Sequence, residues 1–465
     1  MKNGTYQNPL VKLIGIRRRI CSLVGITALA LLCGINPAMA ASSTAKGSDS
    51  PHWIGTWGTA AQPSVPGHPQ VFRNQTLRLI VHTSAGGKEV RIKISNTFGD
   101  QPLVIGGAHI ARRVDGAKID PGSDRILTFR KHSSTTIPAR SMAVSDPVVL
   151  DFPALSDLAV SIFLPDPTSA TTDHALALQT NYVSPETGDH AAEASFPIAE
   201  KIGSWPFLTG VDVAASPGGV TIVALGSSLT DGDGSTEDAN RRWPDVLAER
   251  LQKNGGAELG VLNEGIIGNR LLSDSQSPHQ RGGPPPLAAF FQQVGPLLGE
   301  AGLARFERDV LGQAGVKYVI LALGVNDILF PGAFVPATES VTTQDLIAGY
   351  RQLVARAHQN GIRAIGTTIP PFEKALFRQP FFDRFYSPDN EKTRQAVNAW
   401  ILSSREFDGV IDFDAAVRDP ARPTGLLPAY DSGDHLHPND SGDVAEGNAI
   451  PLTLFHARHP LPASE

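Results

Sequence analysis

Val220-Thr221-Ile222-Val223-Ala224-Leu225-Gly226-Ser227-Ser228-Leu229-Thr230-Asp231-Gly232 is the stretch on which the fold turns. Its first half is an uncharged, apolar run and predicts a strand buried on both faces. Small residues then break that strand and leave two serines at its carboxyl end. Toward the C-terminus, helical and strand patterns alternate. Residues 243–251 form a short amphipathic helix. Residues 260–263 and 318–323 are strands. Leu346, Ile347, Tyr350, Leu353, Val354 and Ala357 share one face of a helix over 345–360, which Gly361 ends. Residues 362–366 give a strand, 391–403 a helix and 409–413 a last strand, with Pro451 interrupting the C-terminal region. Such alternation predicts a parallel α/β sheet with helices on both faces, and sites at the carboxyl ends of its strands.

Upstream of Ser216-Pro217-Gly218-Gly219 the style is different. Residues 76–82 and 89–95 alternate apolar and polar side chains before turn signals, the apolar segment 158–164 follows, and no helical period of any length is present. The expectation is an antiparallel β-sandwich over 51–215, followed by an α/β domain over 218–460.

Four short segments carry chemistry. Ser228 stands in the turn after the first α/β strand. Asp434-His435-Leu436-His437-Pro438 supplies an acid three residues before a histidine, so one loop can orient an imidazole base for a serine. Gly265-Ile266-Ile267-Gly268-Asn269 and Gly324-Val325-Asn326-Asp327 each follow a predicted strand, on the same side as Ser228. A glycine N–H and an asparagine amide are donors suited to a developing oxyanion. Taken singly, each segment has a plainer reading as a turn, a solvated loop or a helix cap. His435 is a rival base, Asp431 and Asp414 are rival acids, and Ser227 is a rival nucleophile. The paired histidines suggest a metal only weakly, because no further cysteine or H-E-x-x-H pattern completes a ligand set.

In this order, Ser228, Gly268, Asn326 and His437 resemble the four blocks of the SGNH (GDSL-type) serine hydrolase superfamily, in a bacterial two-domain subgroup. The resemblance covers roughly residues 218–460. It implies a three-layer, flavodoxin-like catalytic domain. It also implies a Ser228–His437–Asp434 triad, an oxyanion hole made by Ser228, Gly268 and Asn326, and no cofactor or metal. The implied reaction is hydrolysis of carboxylic esters through an acyl-enzyme. The expected substrates are short-acyl or O-acetyl esters on carbohydrate-like molecules. Alternatives are a lipase or lysophospholipase taking longer acyl chains, and a binding protein that has lost catalysis. One departure is Ser227, where the family's first block has aspartate. Another is the long, Pro-rich stretch 273–301, with Pro284-Pro285-Pro286 and Phe290-Phe291, a candidate lid.

Composition narrows the setting. The chain has 465 residues, 41% of them hydrophobic and 18% charged, enough for a core and against wholesale disorder. Lys2, Lys12, Arg17, Arg18 and Arg19 precede an apolar segment over 20–34, and Ala38-Met39-Ala40 closes a secretory signal over 1–40. A polar lead-in follows over 41–50. The apolar segment is too short to span a bilayer comfortably, so no stable membrane span is expected after cleavage, and the product would be periplasmic or secreted. Outside that leader, 35 basic side chains stand against 46 acidic ones, a net charge of −11. That balance argues against nucleic-acid binding. Both cysteines, Cys21 and Cys33, lie in the leader, so the mature chain of about 425 residues would be held by its core alone. Trp53 and Trp57 are candidates for stacking on a carbohydrate, and Trp243 and Trp400 for core packing.

Overall fold

The computed structural model describes residues 51–64, 70–256, 258–274, 295–375 and 386–455. The leader and lead-in fall outside these, as does most of the candidate lid. Among the described residues no helix is long and apolar enough to cross a membrane.

The strand-rich N-terminal part is built on β1 (His52–Gly58), β2 (Gln75–His82), β3 (Gly87–Ser95), β4 (Gly107–Asp115), β5 (Asp157–Leu164) and β6 (Leu208–Ala215). All of these pair antiparallel, in two sheets. In one, β6 lies between β1 and β3; in the other, β5 lies between β2 and β4. The alternation read in the sequence places Leu77, Leu79 and Val81 of β2 and Val90, Ile92 and Ile94 of β3 in one shared core. The only helical turn described over 51–215 is a 3-10 turn at Pro121–Ser123.

The C-terminal part is a five-stranded parallel sheet of β7 (Val220–Gly226), β8 (Leu259–Gly265), β9 (Val316–Ala322), β10 (Arg363–Thr367) and β11 (Gly409–Ile411), in the order β8-β7-β9-β10-β11. Its flanking helices include α1 (Ser228–Asp231), α2 (Trp243–Lys253), α3 (Val325–Leu329), α4 (Thr343–Gln359), α5 (Pro388–Ser403) and α6 (Asp440–Ala449). Separate cores cover the two faces: Val223, Leu225, Val319 and Leu321 point to one, Ile222, Ala224 and Ile320 to the other. The central strands are therefore buried on both sides, as their unbroken apolar runs require.

Local chemistry sets the boundaries. The Thr342 hydroxyl accepts from Asp345 N, and the Asp345 carboxylate accepts in return from Thr342 N, a reciprocal cap that starts α4. β11 ends two residues earlier than the apolar run suggests. Asp412 accepts from Ala415 N and turns Phe413–Val417 into a helix. α6 stops before Pro451.

Ser50–Glu465 forms one compact unit. The strand-rich part lies against edge strand β8, whose Val261 N–H donates to the Ser84 hydroxyl at 2.8 Å. Gly55 N donates to Thr221 Oγ1 at 2.9 Å. An edge that would otherwise present unpaired backbone is thereby covered.

Candidate active site

The chain moves from β7 outward to β8, then returns to the other side of β7 as β9. This is a topological switch point, where open parallel sheets form their binding crevices. Ser228 follows β7, Gly268 follows β8 and Asn326 follows β9, so three neighbouring strands deliver three of the sequence-predicted residues to one edge.

Ser228 opens α1, a single turn. The Ser227 carbonyl accepts from Thr230 N and Asp231 N, and Gly232, at φ +107°, stops the helix. A Cβ on Gly226 would lie 1.9 Å from Thr230 Oγ1, so only glycine lets the chain turn this tightly. Ser228 and His437 are 3% and 4% exposed. Ser228 Oγ lies 2.9 Å from His437 Nε2, and His437 Nδ1 lies 2.6 Å from Asp434 Oδ2. With Nδ1–H donated to the carboxylate, Nε2 is left to accept the serine proton.

Asp434 and His437 are organised within their own loop. Asp434 Oδ1 accepts from Leu436 N and His437 N at 2.9 and 2.8 Å. Ser432 N donates to His437 O, and Asn439 N to Tyr430 O, closing the loop into a hairpin. Burial works against the Asp434 charge, but the His437 ring and the two N–H groups hold its carboxyl well below the usual carboxylate range. Asp434 therefore remains an anion throughout the neutral range.

The rival residues have other surroundings. Ser227 is fully buried and its hydroxyl makes no hydrogen bond. His435, at φ +63°, turns to Asp431, with Nδ1 2.5 Å from Oδ2. Asp414 is bound to Arg394 and Arg418. Among the described residues no group of three or more His, Cys, Asp or Glu could hold a metal ion. Trp57 is not exposed for sugar stacking: it is buried edge-on against Trp205, because its strand faces the shared core. Trp53 lies under the Arg91 guanidinium, 4.4 Å from ring centroid to Cζ. Trp243 packs on Phe413 in the core.

Gly268 has φ +68°, within a turn closed by Asn269 N donating to Ile266 O. A Cβ there would meet Leu298 Cδ2 at 2.5 Å. Asn326 Nδ2 donates to Asn269 O at 2.9 Å, which ties the third block to the second and leaves one amide hydrogen uncommitted. Asp327 accepts from Leu271 N and Leu272 N, a structural role.

Sequence reasoning gave no role to three further residues. Arg305 is completely buried and donates to Gly226 O, Glu264 O and Asn269 Oδ1, clamping the ends of β7 and β8 together. Asn269 Nδ2 donates to Leu298 O and Glu300 O. The Asp233 carboxylate stands 3.7 Å from His437 Nε2. Asp233 had a signal, an Asp-Gly-Asp-Gly run just after the serine; Arg305 had none, since the two strand ends it joins are met through their backbone oxygens, and its local partner Asp309 reads as an ordinary i,i+4 ion pair.

Residues 222–450 match the family model of the GDSL-like lipase/acylhydrolases. No curated protein matches the chain. Three solved structures resemble half of it. A GDSL-like lipase from Bacteroides thetaiotaomicron is 19% identical over 50% of this chain and 87% of its own, with a TM-score of 0.32. The native aryl esterase of M. smegmatis is 19% identical over 50% and 95%, at 0.36. A carbohydrate acetylesterase from Sinorhizobium meliloti is 15% identical over 50% and 95%, also at 0.36. These overlays are too distant to transfer a substrate. With a parallel sheet that gathers the four family blocks at one edge, residues 222–450 belong to the GDSL-like lipase/acylhydrolase family, and the protein is a carboxylic ester hydrolase.

Proposed function

We propose that the protein is an exported serine esterase that removes short acyl groups, O-acetyl above all, from carbohydrate-like substrates. The observation that carries the reading is the unbroken line Ser228 Oγ, His437 Nε2, His437 Nδ1, Asp434 Oδ2, with steps of 2.9 and 2.6 Å. Ser228 Oγ attacks the ester carbonyl as its proton passes to His437 Nε2. Asp434 stabilises the imidazolium that forms. The oxyanion takes hydrogen bonds from the N–H groups of Ser228 and Gly268 and from Asn326 Nδ2. The imidazolium then protonates the leaving alcohol. Water, activated by the same ring, cleaves the acyl-serine and restores the enzyme, so no cofactor enters the cycle. The Asp233 carboxylate beside His437 disfavours anionic alcohols at the site, which is compatible with a neutral carbohydrate-like substrate. Export follows from reading residues 1–40 as a signal. The strand-rich part is read as an antiparallel sandwich that backs the catalytic domain.

A panel of 4-nitrophenyl esters of increasing chain length, together with acetylated glycans, tests the reading against wild type and Ser228→Ala. We expect acetyl esters to be preferred and the variant to be inactive. Retained turnover in folded Ser228→Ala protein would remove the mechanism. A preference for long chains would select a lipase or lysophospholipase instead.

A further inference from the structure

His174 belongs to the strand-rich part, immediately after the short strand Thr172–Asp173, and is 2% exposed. Its two ring nitrogens meet two different acceptors. Nδ1 lies 2.8 Å from Ala60 O and Nε2 lies 3.0 Å from Asp231 Oδ1. A backbone carbonyl has no proton to give and a carboxylate has none, so this arrangement is satisfied when both nitrogens carry hydrogen. Asp231 ends α1, three residues after Ser228, and its second oxygen accepts from Ile267 N at 2.9 Å. Ile267 is the residue before Gly268. One chain of bonds therefore runs from His174 through Asp231 to the turn that presents Gly268.

A second brace starts at the same place. Ala175 N donates to Gln62 Oε1, and Gln62 Nε2 donates to Leu297 O. Leu298 follows, its side chain against Gly268 and its carbonyl bound by Asn269. The Gly268 turn is thus held on one side through Asp231 and on the other through Leu298, and both holds originate at residues 174–175.

We propose that His174 is a positioning residue for ester hydrolysis: as a buried imidazolium it fixes Asp231, and through Asp231 the Ile267–Gly268 turn, so that the strand-rich part sets the strength of oxyanion stabilisation. The inference rests on the role of Gly268 given above. Asp231 and the Ala60 carbonyl face the ring nitrogens, Trp205 lies beside the ring at a centroid distance of 5.8 Å, and Asp173 precedes it. His82, Arg242 and Asp245 line the same small cavity. Burial opposes the ring's charge, but Asp231, Ala60 O and Asp173 raise its pKa above the ordinary 6.5. The second proton is then held to a higher pH than in a free imidazole. Once it is lost, the bare Nε2 would face a carboxylate, and the brace would loosen.

The test compares wild type, His174→Gln and His174→Phe in the full-length protein, with kcat and KM measured on a neutral acetyl ester from pH 6 to 10 (on the order of the range over which a raised imidazole titrates). A misplaced oxyanion donor lowers kcat and leaves KM little changed. The Phe variant should lose roughly tenfold to a hundredfold in kcat. The Gln variant, which keeps one donor, should fall between it and wild type. Wild-type kcat should decline on the alkaline side, whereas the Gln profile should not, because an amide does not titrate. A folded Phe variant with wild-type kcat, or superposable Gln and wild-type profiles, overturns the proposal. Should neither variant fold, the wild-type profile decides: no alkaline decline overturns it. Fluorophosphonate labelling of Ser228 in wild type, absent in Ser228→Ala, separates failure of this inference from failure of the esterase reading.

Discussion

Replacing Asn326 by alanine tests the oxyanion assignment most directly. The side chain is buried at the start of α3, and its amide nitrogen has two hydrogens. One is committed to Asn269 O at 2.9 Å. The other is assigned here to the oxyanion. Alanine removes both, with separable consequences. Losing one oxyanion donor raises the barrier by ~3–4 kcal/mol, a fall in kcat of roughly 10²–10³. Leaving the Asn269 carbonyl without its donor costs about 1–3 kcal/mol of stability. The loop itself should persist, because Arg305, Leu298 O and Glu300 O still hold the Asn269 side chain. Charge on the substrate oxygen develops only in the transition state, so KM should stay within about twofold of wild type. Initial rates on 4-nitrophenyl acetate give kcat and KM, and a melting curve gives the stability change. A variant that melts near wild type and turns over at the wild-type rate would refute the assignment. A loss lying wholly in KM would show that Asn326 binds substrate instead of stabilising the oxyanion.

Two further substitutions probe the same geometry. Asp434→Asn should lower kcat by on the order of 10³–10⁴, since an amide can present N–H to His437 Nδ1 and select the wrong tautomer; pre-steady-state kinetics should show acylation slowed. Because the Asp434 carboxyl is held below its ordinary value of 3.8, its stabilising contribution is complete above that pH and is lost as pH falls toward the depressed value. Acid unfolding curves of wild type and the variant should therefore converge at low pH. Asp233→Asn should raise the ratio of kcat/KM for a succinyl monoester over an acetyl ester by roughly fivefold, as expected for a partly exposed charge worth about 1 kcal/mol. The gain should shrink with added salt, and a ratio unaffected by the substitution would deny Asp233 any influence on substrate charge.

The sequence determined what depends on neighbours along the chain. β7 was legible because a strand covered on both faces must be apolar throughout, and α4 because its cap and apolar stripe recur at helical spacing. Asp434 and His437 were legible as a pair because a carboxylate and an imidazole three residues apart close one loop through their own N–H groups. Ser228, Gly268 and Asn326 were named from the resemblance to the family's ordered blocks; that each follows a strand made one shared edge the expectation, because parallel strands send their carboxyl ends to the same side. The tertiary structure alone decided which groups meet across hundreds of residues. His174 reaches Asp231, Arg305 joins the ends of β7 and β8, and Gln62 braces Leu297. These contacts have no period and no local spacing. Their partners are largely backbone oxygens or side chains from another sheet, and packing distance, not sequence separation, selects them. Where each pairing is local the sequence specifies it; where burial brings a distant donor to an acceptor, only the folded chain does.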